Sequence, residues 1–166
     1  DAAAGTNQDK DVIKDFVAGT DDIDFNGTFK DDNGATAAAT DFLDVSAGAL
    51  TTTITGNRSV AIFEFSHSND LLGEGVTGTF NAVTDTGANL EAAVIEQIAT
   101  DVAVAQTAGV DTAAMLFVMY DEAGNAVIVN FSDNTTGNDV IHSGDLFEFV
   151  VLENVAQGAI TAADFI

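Results

Sequence analysis

The chain has 166 residues, 46% of them apolar, and sets 27 Asp and Glu against four Lys and Arg, for a formal charge of −23 at neutral pH. That length suits one domain with its own core, residues 1–166. The charge balance argues against nucleic acid and anionic membranes as partners, since both need clustered Lys and Arg, and no uninterrupted apolar run is long enough to insert through a bilayer.

The four strong cations are Lys10, Lys14, Lys30 and Arg58, so most of the chain is almost purely anionic. Divalent cations are its natural counter-charge. The plainer alternative is that the acids keep an exported protein soluble. Cysteine and proline are both absent, which leaves Asn, Asp, Gly and Thr to make the turns. The opening Asp1-Ala2-Ala3-Ala4-Gly5 has neither the basic nor the apolar region of a secretory leader. The expectation is either a removed leader or a C-terminal fragment of a longer secreted protein.

In chain order, Asp11–Phe25 (DVIKDFVAGTDDIDF) predicts two short strands around a turn at Gly19-Thr20-Asp21. The Gly-, Asp- and Ala-rich stretch Asn26–Thr40 reads as a loop, and Asp41–Val45 as a brief apolar return. Leu50–Thr55 and Ser59–Ser66 predict strands joined by a hairpin at Gly56-Asn57, and Val76–Val83 is a further strand candidate. Leu90, Val94, Ile98 and Val102 recur at helical spacing, which predicts a helix over about 89–107, capped by Asn89 and ended by Gly109. Ala114–Tyr120 and Ala126–Phe131 flank the acidic turn Asp121–Asn125 and predict a hairpin. Their near-continuous apolarity predicts cover on both faces. Leu146–Leu152 predicts one more strand. The expected fold is mainly β (α+β), a sheet or sandwich with one substantial helix packed on it.

Calcium takes six to eight oxygens, commonly from acidic residues and backbone carbonyls in a bent loop. Three clusters offer such oxygens: Asp21, Asp22 and Asp24; Asp31 and Asp32; and Asp133, Asn138, Asp139 and Asp145. In each case a hydrated turn explains the residues as well as an ion does. The third cluster also lacks the alternate-position spacing of an EF-hand. Asp121-Glu122 reads as a solvated turn. His67 and His142 sit in no zinc-spacing motif. Ser66-His67-Ser68-Asn69-Asp70 has triad residue types at adjacent positions, which do not form a triad, and there is no nucleophile elbow, phosphate loop or dinucleotide fingerprint. No enzymatic activity is expected.

Three segments carry a resemblance, two of them at the ends of the chain. Asp11–Phe25, with the pattern D-V-I-x-D-F-x-x-G-x-D-x-I-D-F, resembles the stretch that follows the glycine-rich calcium repeats of RTX-type secreted proteins. Ala162-Ala163-Asp164-Phe165-Ile166 resembles the uncleaved C-terminal signal of type I secretion. Between them, Phe117–Val151 resembles the terminal segment of many such proteins, surface-layer proteins included. The chain departs from the family in having no tandem calcium repeats, only the lone fragment Thr136–Ile141, and a single unit cannot stack into a roll.

The resemblance implies a calcium-dependent extracellular or cell-surface module of S-layer or adhesin type. Its partners would be calcium, the type I secretion apparatus, and either copies of itself or neighbouring domains. Two other readings stay open: a fibre or lattice subunit joined by strand exchange, and an accessory domain of a secreted hydrolase.

Overall fold

The computed structural model describes residues 10–24, 42–45, 62–65, 81–101, 114–132 and 145–166. Over these residues the protein is mainly β with a single helix. Strands β1 (Lys10–Ile13), β2 (Phe42–Val45), β3 (Ile62–Phe65), β4 (Ala114–Tyr120), β5 (Ala126–Ser132) and β6 (Leu146–Leu152) form one mixed sheet in the order β1-β6-β5-β4-β3-β2. Helix α1 spans Gly87–Asp101 and a 3-10 turn spans Ala162–Asp164. Among the described residues no helix is long and apolar enough to cross a membrane.

The centre of the sheet follows directly from the apolar runs. β4 and β5 pair antiparallel from Ala114↔Ser132 to Tyr120↔Ala126, and β5 pairs antiparallel with β6. Alternation then sorts the side chains onto two faces. Leu116, Val118, Tyr120, Ala126, Ile128 and Leu152 share one core cluster with Val155, Ile160 and Phe165, against which Phe16, Ala18 and Ile23 also pack. Phe117, Met119, Val127, Val129 and Phe131 are buried on the other face. There the Phe117 and Phe131 rings lie 5.3 Å apart and tilted, a favoured arrangement for the ring quadrupoles. Both faces are therefore covered, as continuous apolarity predicts.

Helix α1 lies in the connection between β3 and β4, which run parallel. Parallel neighbours need a long crossover, and a helix is its usual form. Leu90, Ala93 and Val94 are buried, while Ala92 is exposed, so the expected stripe holds over the first turns. Glu91 is buried too, where the spacing placed it off the stripe. The cap also differs from expectation. Thr86, not Asn89, starts the helix: its Oγ1 accepts from Asn89 N at 3.2 Å and its carbonyl from Leu90 N at 3.0 Å. Residues 102–109 lie outside the described residues.

Three further expectations are corrected. Of the two short strands expected in Asp11–Phe25, only the first forms a strand. β1 runs parallel to β6, and Ile23 forms an isolated parallel bridge with Phe165. The intervening turn is closed on the Val17 carbonyl by Thr20 N at 3.0 Å and Asp21 N at 2.9 Å. That turn redirects the chain along the C-terminal segment rather than back on itself. β3 has parallel neighbours on both sides, β2 and β4, so residues 62–65 have no edge left for a hairpin partner; the partner strand Leu50–Thr55 and the turn Gly56-Asn57 lie outside the described residues. The end of the Val76–Val83 strand candidate is a turn, with Asp85 N donating to the Asn81 carbonyl at 2.9 Å.

Candidate functional site

Two buried polar networks fasten the ends of the described fold to its centre. The first begins at Asp121, directly after β4. Its Oδ1 accepts from Asn125 N at 2.8 Å, and its Oδ2 from Asn125 Nδ2 and Ala82 N, each at 2.7 Å. Asn125 in turn accepts from Asn154 N at 3.0 Å, through Oδ1. Asp121 is 7% exposed and Asn125 3%. The expectation of a solvated turn at Asp121-Glu122 is thus corrected for Asp121, whereas Glu122 is exposed. The missing signal was tertiary, because the amide that buries Asp121 comes from a segment 39 residues away.

That segment, residues 81–85, is a turn whose amides are all engaged. Asn81 N donates to Asp85 Oδ2 at 2.8 Å, and Val83 N and Thr84 N donate to Asn81 Oδ1 at 2.9 and 3.2 Å. With these donors drawn to Asn81, Asp85 and Asp121, the carbonyls of Ala82, Val83 and Asp85 converge on Lys10 Nζ. An ammonium has three donors, and here each finds a carbonyl. Burial lowers the Lys10 pKa from its ordinary value, against the opposing pull of the Asp85 and Asp121 carboxylates.

The second network centres on Asp164, which is 1% exposed. Its carboxylate accepts from Gly19 N at 2.5 Å, Thr161 N at 2.7 Å and Thr161 Oγ1 at 2.8 Å. Thr161 Oγ1 also accepts from Ala163 N, which completes a reciprocal cap on the 3-10 turn. Burial alone would raise this carboxyl; the Gly19 amide and the Thr161 hydroxyl and amide outweigh it and hold the pKa below its ordinary value. Alongside, Ile23 N donates to the Asp164 carbonyl and Ile166 N to the Ile23 carbonyl. The stretch around Gly19–Ile23 and the C-terminal residues 161–166 therefore meet in space.

The proposed calcium ligands fare differently. Asp21, Asp22 and Asp24 are exposed, and Asp21 Oδ2 accepts from Val17 N at 2.7 Å, as a turn residue does. Asp145 is buried immediately before β6. Asp31, Asp32, Asp133, Asn138 and Asp139 lie outside the described residues, as do His67 and His142. Among the described residues no three His, Cys, Asp or Glu side chains group as a metal site. The fold and networks define a mainly β, single-helix domain with its distant segments tied by buried polar groups. No protein-family model, curated protein or solved structure matches the chain.

Proposed function

We propose that the chain is a non-catalytic structural or interaction module of an exported, calcium-dependent surface protein, of the S-layer or adhesin type. The observation that carries this reading is the load of 27 acids against four strong cations. At low calcium the acids repel and loosen the chain, while millimolar calcium outside the cell neutralises part of the load. Ions that bind the native state alone stabilise it by mass action. The meeting of Asp11–Asp24 with residues 161–166 supports the same reading, since the two motif-bearing stretches act as one unit. The test is melting temperature in calcium, in chelator, and in sodium chloride of matched ionic strength. A rise beyond that of matched sodium chloride is expected in calcium, and a calcium response no larger than the sodium chloride response sinks the reading.

A second reading, assembly by strand exchange, draws on the place of β1. This four-residue strand ends the sheet order, and its partner β6 lies far along the chain. Lys14 and Glu153 face each other just beyond the pair Ile13↔Leu152. Chains carrying only Lys14→Cys, refolded with chains carrying only Glu153→Cys, form a mixed disulfide if β1 exchanges. Recovery of monomers alone counts against it.

A further inference from the structure

We propose that the turn at residues 81–85 is a preformed cation site whose resident ion is the Lys10 ammonium, and that it takes a calcium ion when the ammonium is removed.

Three carbonyl oxygens within one five-residue turn converge on a single point, and a cation occupies it. What holds them there does not involve Lys10. The amides of Asn81, Val83 and Thr84 are bound by side chains of the turn itself, that of Asp85 by the Asn81 carbonyl, and that of Ala82 by the buried Asp121. The oxygen cage therefore outlasts the loss of the lysine. Asp85 and Asp121 add negative charge that acts on the same point. Carbonyl oxygens backed by carboxylates, with water completing the shell, are calcium chemistry. Magnesium demands stricter octahedral geometry and gives up water reluctantly.

The site also explains why one of only four strong cations stands where it does. Three carbonyl dipoles and two carboxylates crowded together in a chain of charge −23 need a positive centre, and here the chain supplies its own. The ammonium doubles as a fastener, since it joins β1 to the segment that precedes α1.

The experiment compares the full chain with Lys10→Ala, which leaves room for an ion, and Lys10→Met, whose side chain fills the approach without charge. Each is melted in chelator and in millimolar calcium, and calcium is titrated calorimetrically into each. Both variants melt below the parent in chelator. Calcium raises Lys10→Ala by more than it raises the parent, and titration finds one additional ion per chain. Lys10→Met gains no such extra response. Folding of Lys10→Ala in calcium but not in chelator gives the same support. Equal calcium responses in Lys10→Ala and the parent, or failure of Lys10→Ala to fold in either condition, overturns the proposal. The parent's own calcium shift tests the surface-module reading separately, so either idea can fail without the other.

Discussion

Asp164 shows how a single acid can hold two distant segments. Three donors converge on its carboxylate in a site closed to solvent. Asp164→Asn keeps one acceptor and turns an amide toward donors, at a cost of about 1–3 kcal/mol at neutral pH, read by urea denaturation. The pH dependence follows from the direction of the shift. The folded pKa lies below the ordinary value, and the unfolded pKa is near about 3.9. The contribution is therefore complete above that unfolded value and is lost as pH falls through the folded one. The stability gap between parent and Asp164→Asn is expected to narrow below about pH 4. Gly19 belongs to the same contact and has φ of +76° with open space around a would-be Cβ. Gly19→Ala thus costs only backbone strain, about 1 kcal/mol, visible as a small fall in melting temperature.

At the scale of elements, the hairpin β4–β5 and its neighbour β6 rest on local information. Each is a seven-residue, predominantly apolar stretch, so existence was legible and the bounds were read to within one residue. The helix was legible through its spacing, but its start was not. Asn89 and Thr86 are both competent caps, and only the backbone path selects between them. β1 was visible as a strand, yet its partner was not, because a parallel pairing between opposite parts of a chain leaves no local trace. Of the candidate site, the turns that hold Asp21 and Asp121 were read, but the buried role of Asp121 depends on Ala82 and was invisible. Asp121→Ala removes the acceptor for three donors and is expected to destabilise by about 2–3 kcal/mol. In hydrogen exchange, the amides of Ala82 and Asn125 should lose protection first. Phe117→Ala, in the core of the opposite face, should cost about 3–5 kcal/mol by urea denaturation while leaving that local protection pattern intact.

For the whole molecule, charge and connectivity act together. A net charge of −23 opposes compaction, and stability is expected to rise with simple salt, the more so with calcium. The ion pair Lys14–Glu153, 3.8 Å long with an exposed lysine, contributes little to that balance. The sheet joins β1 to β6 across most of the chain's length, so closing it carries a large loop entropy and slows folding.

The bond from Gly19 to Asp164 spans 145 positions. During synthesis at about 5–20 residues per second, Gly19 leaves the ribosome on the order of ten seconds before its acceptor exists. Throughout that interval Phe16, Ala18 and Ile23 have no Ile160 or Phe165 to pack on. The earliest described stretch of the nascent polypeptide is thus the one that must wait for the latest.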